Sequence, residues 1–511
     1  MNAAYLIERL ADMAPRAPAL MHGHRLQDWA ETRERVGRVA AALSARGIAA
    51  GDRVALLALN GPEFFEFLLG AVALGAVIVP LNHRLSAAEL GFQLTDSGAS
   101  LLALSAELGE LAAATGFAAP QLVLGGPDDE LEPLIVGHDG LPDLPELAAD
   151  HTLGIFFTGG TTGTPKGVML SHRNIIANGS QLGPAIGYRP GDVHLHAAPM
   201  FHLADLGSLF AQLFTGPSAH AFAPRFLPAE VAAAIARYGA TTTVMAPTMV
   251  AMFVRDEAVP GHDLSSLRLL HYGGSAIGEA VLRETCALLD CDLFQGYGQT
   301  EATQGICFLG TADHRAALNG QSHLLGSCGK PVPGVQVRLV DENLTPVALG
   351  EIGEIVVRSP AVMAGYWRRE EETAAALPGG WLLTGDLARR DAEGYFHIVD
   401  RRKDMIVSGG ENIYSAEVEN ALSLHPGVAE AAVIAVPDSR LGERVHAVVV
   451  ARDGEEVFER ELQDHCRDLI GGFKIPRSFE FLPALPKSAA GKVRKAELRQ
   501  PHWQDHQRQV D

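Results

Sequence analysis

The stretch Phe156 to His172, FFTGGTTGTPKGVMLSH, concentrates glycine, threonine and one lysine in a way that suits a polyphosphate. Glycines let backbone N–H groups converge on an anion, threonines add hydroxyls, and Lys166 adds a fixed positive charge. The spacing is not that of the hydrolase loop G-x-x-x-x-G-K-[ST]. Here Thr164 and Pro165 separate Gly163 from Lys166, and Gly167 follows the lysine. Taken alone, such a loop also reads as a solvated turn at a strand end.

Three further stretches carry chemistry. FQGYGQTEATQG (Phe294 to Gly305) begins like a dinucleotide fingerprint, but Glu301 stands where the third glycine belongs. Tyr297, flanked by Gly296 and Gly298, offers an aromatic face to a purine. Thr300 and Glu301 supply oxygen ligands for a hard cation such as Mg²⁺. In GGWLLTGDLARRDAEGYFHIVDRRKDMIVSGGEN, Asp386 can accept from ribose hydroxyls and Arg401 can donate to them. In LPKSAAGKVRKAELR, Lys492 follows a flexible Ser488–Gly491 approach able to carry an ammonium into a site. Each has a plain structural counterpart: a tight turn, a surface glutamate, a capping aspartate, a solvated basic face.

These residues need elements to hold them. Short apolar runs alternate with helical stretches: RVALLALN, AVIVPLN, TTTVMAP, LRLLHYGGS and CDLFQGYG read as strands, each ending near Gly, Pro or Asn. Strands alternating with helices imply parallel sheets covered on both faces, with ligands at the C-terminal strand ends. From about Gly329 the texture becomes β-rich, with VQVRLVD, GEIGEIVVRS and GYFHIVD as short strands. The last hundred or so residues return to mixed α and β, and the charged, glycine-rich stretch Asp400 to Asn412 between them suits a hinge.

Bulk properties bound the answer. A chain of 511 residues exceeds one core. Its net charge of −20 argues against general nucleic-acid or anionic-membrane binding, so an anionic substrate needs a local basic site. Five cysteines without a C-x-x-C fit a reducing cytoplasm better than a disulfide framework. The N-terminus lacks the pattern of a signal peptide. The most apolar run, Phe67 to Pro80, is shorter than the roughly 20 residues a membrane span needs, and is expected as a buried helix entering a buried strand.

Together, the four stretches resemble the acyl-adenylate-forming enzymes: acyl-CoA synthetases, peptide-synthetase adenylation domains and beetle luciferases. The resemblance covers essentially the whole chain and implies an α/β fold. Its large N-terminal domain (1–399) would hold two α/β subdomains and a small β-barrel; a hinge (400–404) would lead to a small mobile α+β C-terminal domain (405–511). By the same resemblance, Thr158, Gly159, Gly160, Thr161, Thr162, Gly163, Thr164 and Lys166 would wrap the β- and γ-phosphates of ATP. Gly274, Ser275, Gln295, Gly296 and Tyr297 would line the adenine and neighbouring substrate pocket. Thr300 would touch the α-phosphate, Glu301 would hold Mg²⁺, and Asp386 and Arg401 would bind ribose. His202 would stand beside the carboxylate as a gate, Lys403 would be the hinge, and Lys492 the lysine needed for adenylation.

The implied reaction joins a carboxylic acid to the α-phosphorus of ATP, releases pyrophosphate, and passes the acyl group to CoA. The main enzymatic alternative loads a separate carrier protein; a luciferase-like oxygenase fits less well, and a non-catalytic nucleotide sensor on the same fold is the alternative of another class. Basic residues near the hinge and C-terminus are expected to serve the phosphates of CoA. Small residues Ala204, Gly207, Gly274, Ala302 and Gly305 are expected to leave room for a medium or long acyl chain or an aryl group. Asp205 is expected to point outward, the alternative being that it binds a polar substituent of the acid. A homodimer is compatible with the sequence but not required by it.

Overall fold

Residues 2–138, 145–158, 165–275, 277–487 and 492–503 are described by the computed structural model. They divide into two compact units. One holds the chain up to Val337 together with Val357–Leu382, the other Arg338–Val356 and the chain from Leu383 onward.

The first unit is built on two sheets. A seven-stranded sheet runs in the order Gly365–Tyr366, Lys166–Ser171, Thr152–Thr158, Val77–Pro80, Arg53–Leu57, Leu101–Ser105, Gln121–Leu124. Its centre is parallel, with Arg53–Leu57 flanked in register by Val77–Pro80 and Leu101–Ser105. The apolar run at Phe67 forms the end of helix Pro62–Leu74, stopped by Gly75 at φ 81°, and then strand Val77–Pro80. Both are buried, as a parallel strand covered on two faces requires. Strands Thr152–Thr158 and Lys166–Ser171 pair antiparallel, so the glycine-threonine loop is the connection of a hairpin.

The second sheet has nine strands, ordered Lys330–Pro331, Cys307–Leu309, Asp292–Tyr297, Leu269–Gly273, Thr242–Met245, Val193–His196, Ala219–Phe222, Pro18–His22, Arg25–Asp28. Side chains alternate between faces along each strand. Leu195, Ala221, Leu270 and Tyr272 point to one face and pack with Val231, Ile235, Val250, Phe253 and Leu282 of three covering helices. Each buried Leu, Val, Ile or Phe among them contributes about 1.5–3 kcal/mol. The opposite face carries His194, His196 and His220, all fully buried.

Most residues of a four-stranded sheet (Gln336–Val340, Ile352–Arg358, Leu382–Arg390, Phe396–Arg401) belong to the second unit. A five-stranded sheet follows, centred on the long antiparallel pair Val428–Asp438 and Gly442–Ala451. Val433, Ala435, Val445 and Ala447 on one face pack against Val418, Leu422 and Leu462 of two helices. Ile434, Val436 and Val448 on the other face meet Leu485 and Leu498. Among the described residues no helix is long and apolar enough to cross a membrane.

Candidate active site

In the first unit the hairpin sets Lys166 opposite Thr158, whose hydroxyl lies 3.5 Å from the Lys166 carbonyl oxygen. Gly159, Gly160, Thr161, Thr162, Gly163 and Thr164 lie outside the described residues. Lys166 Nζ sits 5.1 Å from the ring centroid of Tyr366, within cation–π range. The Tyr366 hydroxyl donates to Glu301 Oε1 at 3.0 Å. Burial, and then the charge of Glu301, push the phenol far above its usual pKa, so it stays protonated and keeps donating. One aromatic ring thus links the lysine of the first motif to the glutamate of the second.

Tyr366 is a residue that sequence reasoning passed over. Its signal was the Gly365–Tyr366 pair: a Cβ at Gly365 would lie 2.6 Å from Thr373 Cγ2, so a glycine is needed for the chain to reach the edge of Lys166–Ser171.

The second motif is the end of strand Asp292–Tyr297 and the 3₁₀ turn Thr300–Ala302. Gln295 and Gly296 pair in parallel with Tyr272 and Gly273, and Tyr297 pairs antiparallel with Cys307. Gly298 is obligatory, because a Cβ there would fall 1.5 Å from the Gln304 carbonyl oxygen. Thr303 adopts φ 66° without being glycine, and its hydroxyl donates to the Ala361 carbonyl at 2.5 Å. Such a conformation costs of order 1–3 kcal/mol and is held here by a buried hydrogen bond. Gly274 and Ser275 lie exposed just past strand Leu269–Gly273.

His202 caps helix Leu203–Thr215, its Nδ1 accepting from the Ala204 N–H at 3.1 Å. The approach to it is held by Asn60, a second residue the sequence did not flag. Its amide donates to the carbonyls of His196 (3.0 Å) and Ala198 (2.8 Å) and accepts from the Met200 N–H (2.8 Å).

Two expectations about this region are overturned. Asp205 does not point outward: it is fully buried, with Oδ2 2.5 Å from His196 Nδ1. The small residues do not all leave room either. A Cβ on Gly207 would lie 2.1 Å from Gln304 Oε1, and one on Gly305 would lie 2.6 Å from Leu182 Cδ2. Gln304 is fixed there by donating to the Ala204 carbonyl at 3.0 Å. These glycines admit neighbouring side chains.

In the second unit Asp386 and Arg401 face each other across antiparallel strands, with Arg401 Nε 2.7 Å from Asp386 Oδ1. The aspartate side chain is nearly buried and the arginine side chain is 43% exposed, so the pair presents its guanidinium outward. Glu354 steadies both flanks, accepting from the Gly385 N–H at 2.9 Å and from Arg402 Nη1 at 3.0 Å. Lys403 follows in a 3₁₀ turn, where burial lowers its pKa. Arg499 grips that turn, donating to the Lys403 carbonyl and pairing with Asp404, each at 2.9 Å.

Lys492 is exposed beside the bridge between Lys487 and Val493; residues 488–491 of its approach lie outside the described residues. The other basic residues of that segment are paired within the unit: Lys487 with Glu430 (2.6 Å), Arg494 with Glu497 (2.8 Å) and Lys495 with Glu419 (2.7 Å). Lys487, Arg494 and Lys495, among the basic residues expected to serve the phosphates of CoA, are therefore already paired with local carboxylates.

A lysine and a carboxylate thus meet at one tyrosine in the first unit, and an Asp–Arg pair is followed by an anchored turn in the second. The family model for AMP-binding enzymes matches residues 7–367, and that for the AMP-binding enzyme C-terminal domain matches 417–492. The chain belongs to the AMP-binding enzyme family and so to the acyl-adenylate-forming superfamily. Within it, the chain is an AMP-forming acid–thiol ligase.

A feruloyl-CoA synthase from an Amycolatopsis species is 42% identical over 96% of this chain and 97% of its own. The fatty acid–[acyl-carrier-protein] ligase ScoC of Streptomyces coeruleorubidus is 36% identical over 98% of this chain and 96% of its own. The crystal structure of the anthranilate CoA ligase AuaEII in complex with anthranoyl-AMP superposes with a TM-score of 0.87 at 28% identity, covering 98% of this chain and 97% of that one.

Proposed function

We propose that the chain joins an aryl carboxylic acid to CoA through an aryl-adenylate. The observation that carries the aryl reading is the closure of two glycine positions by Gln304 and Leu182. In this family the segments after His202 and Glu301 wall the acid pocket, and a bounded wall favours a flat ring over a long alkyl chain. The 42% identity to a feruloyl-CoA synthase over nearly the full length supports the same reading.

The two reactants of the first step are both anions, so repulsion must be screened where the carboxylate meets the α-phosphorus. Thr158 to Thr164 and Lys166 hold the β- and γ-phosphates as leaving group, with Tyr366 restraining the ammonium of Lys166. Thr300 touches the α-phosphate. Glu301 has one oxygen fixed by Tyr366, and its second suits Mg²⁺, which when bound withdraws charge from the phosphates. Gly274, Ser275, Gln295, Gly296 and Tyr297 shape the adenine pocket, and Asp386 with Arg401 bind the ribose hydroxyls. His202 stands beside the carboxylate, and Lys492 neutralises the reacting oxygens during adenylation.

A thiol cannot approach the acyl carbonyl while a lysine lies against it. We assign residues 400–404 as the hinge and 405–511 as the domain that withdraws Lys492, with the region before 400 as the adenylation domain. The chain is expected to work in the cytoplasm.

The identity to ScoC favours a second reading, transfer to a carrier protein. A screen of acids by acceptor-dependent AMP release decides both points. Hydroxycinnamic and benzoic acids are expected to exceed hexadecanoic acid in kcat/KM by at least about tenfold with CoA, the scale of one mismatched apolar pocket contact. A preference for long fatty acids overturns the aryl reading, and release with a phosphopantetheinyl carrier protein but not with CoA overturns the acceptor.

A further inference from the structure

The face of the nine-stranded sheet opposite its apolar core is unusual in composition. Strand register places His194 beside His220 on one side and Thr242 on the other, with His196 two residues further along the same face. Helix Leu203–Thr215 contributes Asp205 and Gln212 to the layer. His194, His196, His220 and Asp205 each have no exposed surface.

Hydrogen bonding alone leaves this layer incomplete. Asp205 Oδ2 lies 2.5 Å from His196 Nδ1, and His196 Nε2 lies 3.1 Å from His220 Nδ1. His194 Nδ1 lies 2.8 Å from the Thr242 hydroxyl. Asp205 Oδ1, His194 Nε2 and His220 Nε2 are buried without a hydrogen-bond partner. A polar atom buried without a partner is costly, and a carboxylate oxygen is the costliest of these.

We propose that His194, His196 and Asp205 bind a divalent transition-metal ion, with zinc as the best match, between the sheet and helix Leu203–Thr215. One ligand atom from each lies within 4.8 Å of the others, and two imidazoles with one carboxylate are zinc's ligand chemistry. A cation there would compensate the buried carboxylate and give orphaned atoms such as His194 Nε2 and Asp205 Oδ1 a partner, with His196 releasing one of its two ring contacts to join them. Thr242 is the outer partner such a ligand needs: with Nδ1–H donating to its hydroxyl, His194 presents the Nε2 lone pair. Zinc bonds of about 2.0–2.1 Å place tetrahedral ligand atoms about 3.4 Å apart, so binding requires these side chains to shift from their hydrogen-bonded positions.

A second group, His446, Glu480 and His502, lies in the other unit and must be separated in the test. Protein purified without a metal-affinity column and reconstituted with zinc is dialysed against metal-free buffer. About one zinc per chain is expected to remain in the wild type and in Glu480→Gln/His502→Ala, and to be lost in Asp205→Asn. Thr242→Val keeps the side-chain shape and is expected to weaken zinc roughly 10- to 100-fold in competition with a chromophoric chelator, with unchanged circular dichroism. Zinc below about a tenth of an equivalent in the reconstituted wild type, or zinc that follows Glu480 and His502, overturns the proposal. So does unchanged affinity in Thr242→Val. If Asp205→Asn does not fold, cobalt-loaded wild type must show the d–d absorption of a nitrogen-ligated tetrahedral site, and its absence is equally decisive.

Discussion

Lowering the pH should unfold the first unit through its buried histidines. His194 and His220 have pKa values well below 6.5, and burial lowers His271 to about 4. His172, which accepts from the Ala3 N–H at 2.9 Å, is lowered by burial to about 3. A folded-state pKa below the unfolded value means that the unfolded chain binds more protons as the pH falls. The stability these rings contribute is therefore complete above about 6.5 and is lost progressively between there and the folded values. Four imidazoles that stay neutral when folded remove about 3 kcal/mol between pH 7 and 6, and about 5 kcal/mol between pH 6 and 5. Asp205 has the opposite sign: burial raises its pKa, so its contribution grows as the pH falls below that raised value and offsets part of the loss. A metal held by these histidines steepens the dependence, because protons compete for the same lone pairs. Urea melts at pH 7, 6 and 5, followed by tryptophan fluorescence, measure the change. A midpoint that stays flat across that range would refute the view that the imidazoles are neutral and buried.

Other perturbations test the site. Tyr366→Phe removes the hydrogen bond to Glu301 while keeping the ring under Lys166, and is expected to slow pyrophosphate exchange about 10- to 100-fold, the scale of a hydrogen bond to a charged group. Lys492→Ala should nearly abolish adenylation but leave thiolation of preformed acyl-adenylate largely intact; equal loss in both half-reactions sinks the assignment. Lys403→Pro should impair CoA-ester formation more than pyrophosphate exchange, and the reverse order argues against a hinge there. Gly298→Ala should yield little folded protein, since its Cβ would overlap the Gln304 carbonyl; normal expression with full stability contradicts the turn geometry.

The strand ends that carry the site were legible in the sequence because parallel strands buried on both faces read as short apolar runs closed by glycine. Leu269–Gly273 and Asp292–Tyr297 stand where LRLLHYGGS and CDLFQGYG placed them. What escaped was anything set by contact between distant segments. Tyr366 joins Lys166 and Glu301 only because Gly365–Tyr366 adds an edge strand beside Lys166–Ser171. Asn60 matters through carbonyls 136 and 138 positions away. A glycine in a sequence carries no sign of whether its space is empty or filled, which is why Gly207 and Gly305 were misread as open wall. Asp205 was misread for a related reason: a lone aspartate is usually exposed, and its partner His196 comes from a neighbouring strand. The basic C-terminal segment was legible as charge, but not as charge already paired with Glu430, Glu419 and Glu497.

As proposed, this chain makes an acyl-adenylate and passes the acyl group to CoA. The direct measurement is simultaneous quantitation of AMP, pyrophosphate and thioester from ATP, an aryl acid and CoA. AMP and thioester are expected in equal amounts, both requiring the acid and CoA, with pyrophosphate exchange persisting when CoA is withheld. ADP in place of AMP, or AMP release indifferent to the acid, contradicts it.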